Sequence, residues 1–179
     1  MIFKRINGPL AHLVEHHTFN VGVAGSSPAR LILSMPRYEI IPHTADIGIK
    51  AYGTNLSEVF KNTAYAMFDI IADLDGLTKS VEQPIEVEAA NREELLVAWL
   101  GELLYNFYTK QIIFFDFKIE ELSDTRLPGG QARLKAQAFG RHIGENRNRL
   151  KTEIKAVTYH ELKIQEKEGK FTATVIFDV

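Results

Sequence analysis

Two amphipathic helical segments, each preceded and followed by stretches of alternating apolar and polar residues, constrain this fold most. The first covers residues 56–72 and follows Asn55, which together with Glu58 forms a capping-box-like start. The second covers residues 92–109, follows Asn91 and has a broader apolar face, which predicts deeper burial. Two helices among many short strands predict an α+β fold, because a doubly wound parallel sheet would need more crossover helices.

The strands are predicted from the alternation of apolar and polar residues and are linked mainly by turns. They cover residues 38–41, 46–52, 85–89, 112–115, 117–122, 132–140, 156–165 and 171–179. Alternation of this kind indicates sheets with one face in water and largely antiparallel pairing. We therefore predict that residues 35–179 form a single compact domain, with two amphipathic helices packed on largely antiparallel sheets.

Residues 1–34 show neither the helical nor the strand period. Codons can be chosen for Val23 to Ala29 so that the two ends of the DNA are complementary and flank the sequence TTCGAGT. A stem and loop of this kind resemble the T-arm of a tRNA gene. Our hypothesis is that residues 1–34 translate the end of an upstream tRNA gene and that the authentic start is Met35. The alternative is a disordered or helical extension with a role of its own.

Composition limits the chemistry that the chain can use. It has no cysteine, which excludes disulfides, thiolate catalysis and metal sites that depend on sulfur, so a metal site must use oxygen or imidazole ligands. The formal net charge of −2 gives no global attraction to nucleic acid. No apolar run approaches the ~18 to 20 residues that span a bilayer, so we expect a cytoplasmic protein without a membrane partner.

Three motifs carry the functional signal. They are His-Thr-Ala-Asp-Ile-Gly at residues 43–48, Lys-Ala-Val-Thr-Tyr-His at residues 155–160, and the terminal pair Asp178-Val179. In their order and spacing they resemble an archease, a small protein that activates the GTP-dependent RNA ligase of tRNA splicing and RNA repair. The segments at residues 51–53 and 93–105 also resemble that family, and the resemblance covers residues 35–179.

The resemblance implies a divalent-metal site formed by Asp46, Asp178 and the α-carboxylate of Val179. Oxygen ligands with a summed charge of about −3 suit calcium first, with magnesium or manganese as alternatives. Without the motif context, Asp46 would be an ordinary turn acid and the terminus a frayed, solvated end. A well-paired last strand would hold the terminal ligands still.

Lys155 and His43 are weaker candidates, for contact with a phosphate or with the partner protein. The alternatives are a solvated strand-end lysine and a histidine that makes a structural hydrogen bond beside Pro42. The basic stretch at residues 141–150 lacks interleaved aromatic residues, so a solvated loop is favoured over an RNA-binding surface.

By resemblance, the chain is a non-enzymatic activator of the ligase that joins 3′-phosphate and 5′-hydroxyl RNA ends. It would promote guanylylation and multiple turnover of the ligase through the metal site, and would contact RNA only indirectly. Two alternatives from other classes stay open. One is a metal-dependent phosphohydrolase that uses Asp46 and Asp178, and the other is a chaperone-like accessory module of RNA modification.

Overall fold

The computed structural model describes residues 36–41, 46–124 and 130–179, apart from the side chain of Glu145. The predictions for residues 1–34 and for His43 therefore lie outside the described residues. Within those ranges the chain forms two α-helices, eight strands and one 3-10 helix. In chain order they are β1 Tyr38–Ile41, β2 Ile47–Gly53, α1 Leu56–Ile71, β3 Val81–Ala89, α2 Arg92–Lys110, β4 Ile112–Ser123, β5 Ala132–His142, the 3-10 helix Gly144–Arg149, β6 Ala156–Val157, β7 Lys163–Lys167 and β8 Lys170–Asp178.

The strands form two antiparallel sheets. The five-stranded sheet has the order β1-β2-β8, with β6 and β7 both paired along the other side of β8. The three-stranded sheet has the order β3-β5-β4. Each helix contacts strands of both sheets. This arrangement confirms the predicted α+β fold, with two helices packed on antiparallel sheets.

Both helices begin at the asparagine caps that the sequence predicted. The Asn55 side chain accepts a hydrogen bond from the Glu58 amide at 2.9 Å, and the Glu58 carboxylate accepts from the Thr54 amide at 2.7 Å. Asn91 accepts in the same way from the Glu94 amide at 2.8 Å. These caps satisfy amide groups that a helix leaves without an internal partner in its first turn.

An aromatic cluster fills the core between the helices and β4. The ring centroid of Phe68 lies 5.5 Å from that of Phe114, and the Trp99 ring lies 5.7 Å from Phe117. The indole NH of Trp99 is satisfied, because it donates to the Phe60 carbonyl at 3.2 Å. Trp99 is fully buried, but the deeper burial predicted for α2 is wrong, because eight of its 19 residues are buried against nine of 16 in α1.

Two strand predictions are corrected. Residues 112–123 form one strand rather than two, because a β-bulge between Phe114 and Asp116 absorbs the extra residue while pairing with β5 continues. Residues 156–165 form two strands rather than one, since the chain turns between β6 and β7, with Glu161 at a φ of 52°. Strands β6 and β7 pair with different parts of β8. Tyr159 and His160 lie in the turn between them and are exposed.

The β7–β8 hairpin closes tightly at the turn predicted around residues 167–170. Lys167 pairs with Lys170, and the two residues between them, Glu168 and Gly169, have positive φ values of 54° and 70°. Positive φ at both positions is typical of the turns whose twist matches antiparallel strands. In the described part of the chain, no helix is long and apolar enough to cross a membrane.

Candidate metal centre

The pairing of β2 with β8 brings the first motif to the end of the chain. Ile47 pairs with Phe177 in an antiparallel register. That ladder ends at Ile47, and Asp46, which lies in a bend directly before β2, falls at the same end of the sheet as Asp178, the last residue of β8. The two predicted carboxylates therefore lie at one end of one sheet, although 131 residues separate them in the sequence.

The strand period assigns both carboxylates to the sheet face away from the helices. Ile49, Val175 and Phe177 belong to the hydrophobic core, so residues of the other parity point outward. Gly48 lies on that outer face, where an added Cβ would stand 2.6 Å from Cγ1 of Ile41 and 3.1 Å from Cδ1 of Ile176. A glycine here lets the side chains of the neighbouring strands meet directly beside the carboxylates.

The chain terminus is held by backbone and side-chain contacts rather than frayed. On the side of β8 opposite β2, Ala156 pairs with Asp178, and the Lys155 amide donates to the Asp178 carbonyl at 2.8 Å. The Val179 side chain is half-buried against the hydrophobic core. These contacts fix the position of the terminal carboxylate, which a metal ligand requires.

Lys155 lies against the terminus. Its ammonium group donates to a main-chain oxygen of Val179, part of the α-carboxylate, at 2.9 Å. The sequence predicted that Lys155 contacts a phosphate or a partner, and that contact stays a prediction. Sequence reasoning missed the link to Val179 because residues 156–165 were predicted as one unbroken strand, which leaves the pairing of Lys155 unspecified.

The donor chemistry of this sheet end fits a hard divalent cation. Asp46 is half-buried and Asp178 is exposed, so the pair combines one sheltered and one accessible carboxylate. Among the described residues, no group of three or more His, Cys, Asp or Glu side chains is placed to hold a metal ion. A third ligand would have to be the Val179 α-carboxylate, which is not a side chain. Oxygen ligands of this kind suit calcium and magnesium.

The second motif divides into a paired part and an exposed part. Its first residues pair with β8, and both the amide and the hydroxyl of Thr158 donate to the Ile176 carbonyl at 3.1 Å. Tyr159 is 65% exposed. His160 is exposed too, and its Nε2 lies 3.8 Å from the Glu161 carboxylate. One half of the motif builds the sheet end, and the other carries exposed side chains.

Comparison with known proteins identifies the family of the chain. Residues 38–179 match the model of the Archease protein family (MTH1598/TM1083), and the match includes Asp46, Lys155 and both terminal residues. The chain belongs to the archease family. It is 38% identical to the archease of Methanosarcina mazei over 143 residues, which cover 80% of this chain and 96% of that protein. It is also 38% identical to the archease of Pyrococcus furiosus over 147 residues, 81% of this chain and all of that protein.

Solved structures of the family share the fold. The solution structure of protein 1598 from Methanobacterium thermoautotrophicum superposes with a TM-score of 0.67 at 33% identity, covering 80% of this chain and 99% of that one. The crystal structure of an archease from Thermotoga maritima, described as a possible chaperone, gives a TM-score of 0.51 at 20% identity over 78% and 94% of the two chains. The second likeness concerns the fold alone.

Proposed function

We propose that this archease is a non-enzymatic activator of the GTP-dependent RNA ligase that joins 3′-phosphate and 5′-hydroxyl ends in tRNA splicing and RNA repair. In this proposal it acts in the cytoplasm and promotes guanylylation and repeated turnover of the ligase. The observation that supports the proposal is the pairing of β2 with β8, which puts Asp46 and Asp178 at the same end of the sheet as a terminal carboxylate held by Lys155. The identity of the partner rests on the resemblance of the sequence motifs to the archease family.

The physical basis is the charge of the reacting phosphates. Transfer of a nucleotidyl group to the ligase requires neutralisation of negative charge on the triphosphate, which a divalent ion supplies. In this chain, Asp46 and Asp178 would hold such an ion together with the Val179 carboxylate. Calcium is the first candidate, with magnesium and manganese as the others. Because Asp178 is exposed, the site opens toward solvent and toward a docked partner.

The surface around the site supports action on a protein rather than directly on RNA. The whole chain carries a formal net charge of −2, and the candidate centre adds carboxylates rather than a basic patch. Tyr159 is largely exposed at the turn after β6, and exposed tyrosines are enriched where proteins meet. The description of the Thermotoga maritima archease as a possible chaperone also involves a protein partner.

The test is single-turnover guanylylation of the cognate ligase in calcium, with and without the full chain. We expect the chain to raise the rate, and Asp178→Asn to lower that increase at least about tenfold, because loss of a ligand weakens metal binding by more than outer-shell changes do. The control is Glu86→Gln, which removes a carboxylate from the other sheet and should leave activation unchanged. Adding one glycine after Val179 moves the terminal carboxylate and should act like Asp178→Asn.

Other outcomes would favour the alternatives. No rate increase with a ligase preparation shown to be competent would overturn the activator proposal. Release of phosphate from an ester by the chain without ligase, abolished by Asp46→Asn, would identify a phosphohydrolase instead. Activation that is insensitive to Asp178→Asn and to the added glycine would favour a chaperone-like module that acts through its surface alone.

A further inference from the structure

Lys155 places a positive charge on the α-carboxylate of Val179, which is one of the proposed metal ligands. Its backbone is fixed by the hydrogen bond from its amide to the Asp178 carbonyl at 2.8 Å. Its ammonium then reaches the terminal residue, where it donates to the Val179 oxygen at 2.9 Å. One ligand atom of the proposed site is therefore in contact with an internal cation.

The charges at this sheet end explain why a cation is held there. Asp178 and the α-carboxylate of Val179 belong to adjacent residues, and like charges so close to each other are stabilised by a cation nearby. The Lys155 ammonium offsets one of them. A lysine is a compact charge on a flexible stem of four carbons, so it can leave the carboxylate without any movement of the backbone.

We propose that Lys155 is a built-in competitor for the divalent ion, which occupies the Val179 carboxylate in the metal-free protein and is displaced when metal binds. This inference rests on the metal site of the proposed function. It gives the site a lower affinity and easier exchange than the same ligands would have alone. It also couples metal binding to the release of an ammonium group at an exposed position, where a partner's acidic or phosphate group can bind it.

Competition makes a prediction opposite in sign to that of a supporting role. If Lys155 only positioned the terminal carboxylate, removing its charge would weaken metal binding. If it competes, removing the charge strengthens binding. Since coupling between two ligands is reciprocal, the metal must loosen the Lys155 contact by the same factor by which Lys155 weakens metal binding.

The test is calorimetric titration of the full metal-free chain with calcium chloride. We expect Lys155→Met to bind calcium about tenfold more tightly than the parent chain, the size expected for a like charge held within about 4 Å at a solvated site. Lys155→Arg keeps the charge and should stay near the parent affinity. The matched control is Lys163→Met, which removes an exposed lysine that pairs opposite Thr174, four residues before Asp178 on β8, and should leave the affinity unchanged.

The outcomes separate the two proposals. Calcium binding that is lost in Asp178→Asn but is equal or weaker in Lys155→Met would overturn the competitor role and leave the metal site standing. Absence of calcium binding to the parent chain, or full binding to Asp178→Asn, would overturn the site and the competitor role together. Tighter binding by Lys155→Met with no change in Lys163→Met supports both.

A second measurement follows the lysine itself. Brief labelling with an amine reagent, read by mass spectrometry, should modify Lys155 several-fold faster with calcium than with a chelator, because its ammonium has been released from the terminal carboxylate. Lys163 should react at the same rate in both conditions. Equal labelling of Lys155 with and without calcium, in a chain that binds calcium, would contradict displacement.

Discussion

The two sheets arrange their charged residues in opposite ways. On the three-stranded sheet, Glu86 pairs in register with Lys135, and the two form a salt bridge of 3.2 Å between neighbouring strands. Glu88 likewise pairs in register with Arg133 and forms a salt bridge with it. Each negative charge of these two pairs has a positive charge directly opposite it, as in an ordinary solvated sheet face.

The end of the five-stranded sheet gathers like charges instead. The pairing of β2 with β8 places Asp46 and Asp178 at the same sheet end as the terminal carboxylate of Val179, to which the Lys155 ammonium donates a hydrogen bond. Nothing in folding favours bringing together groups that repel each other. The difference teaches that the charged pairs of the three-stranded sheet serve the fold, whereas the carboxylates at the end of the five-stranded sheet are the groups that the proposed metal site would use.

The largest expected effect is stabilisation of the protein by calcium. At a calcium concentration 100 times the Kd, binding should stabilise the parent chain by about 2.7 kcal/mol, which raises the Tm by roughly 5 to 10 °C for a domain of this size. Asp178→Asn should lose this rise, whereas Glu86→Gln should keep it because its carboxylate belongs to a balanced pair. Thermal unfolding with calcium and with a chelator measures both. An equal loss of the rise in Glu86→Gln would remove the distinction between the sheets.

A smaller effect is the change in the free energy of unfolding when one carboxylate is neutralised in the absence of metal. We expect this change to differ in sign between the two regions. In urea unfolding with a chelator, Asp178→Asn should equal or slightly exceed the stability of the parent chain, because it relieves repulsion between exposed carboxylates. Glu88→Gln should lower the free energy of unfolding by about 0.2 to 1 kcal/mol, because it breaks a solvent-exposed ion pair. Destabilisation of similar size in both variants would mean that Asp178 has a structural role and would weaken the case for a site.

The elements that could be predicted from the sequence are those that local residues determine. Both helices begin and end within one residue of their predicted bounds, because Asn55 and Asn91 supply caps and the apolar period is sustained for four to five turns. Strand β3 begins four residues before its predicted start. The added residues include Pro84, which β3 tolerates because it is an edge strand, where a missing amide hydrogen costs no pairing.

Features that depend on distant pairing could not be predicted. The alternation from Ala156 to Gln165 is unbroken in the sequence, yet β8 pairs with only its two ends, and the turn between them presents Tyr159. For the same reason, the motifs indicated Asp46 and Asp178 as ligands, but the contact of Lys155 with Val179 required the register of β6. The candidate site residues were predicted from the family resemblance, whereas the residues that contact them became known only from the strand pairing.

The smallest expected effect concerns Asp116, which follows the bulge in β4 and represents the balanced region. Its partial burial would raise the pKa of its carboxyl, but the hydrogen bond and charge of Lys79 and the Phe117 amide at 2.9 Å outweigh burial and hold the pKa below its usual value. A lowered pKa in the folded state stabilises the protein above the unfolded pKa, and this contribution is lost as the pH falls through the folded pKa.

Lys79→Met should therefore raise the pKa of Asp116 toward its ordinary value near 3.8, as followed by NMR of the carboxyl carbon against pH. Since both side chains are about half exposed, the stability lost at neutral pH should stay below about 1 kcal/mol. The calcium response should not change, because Asp116 belongs to the three-stranded sheet and is paired with Lys79. A weakened calcium response in Lys79→Met would show that the two sheets are coupled electrostatically, and the contrast between the two regions would no longer hold.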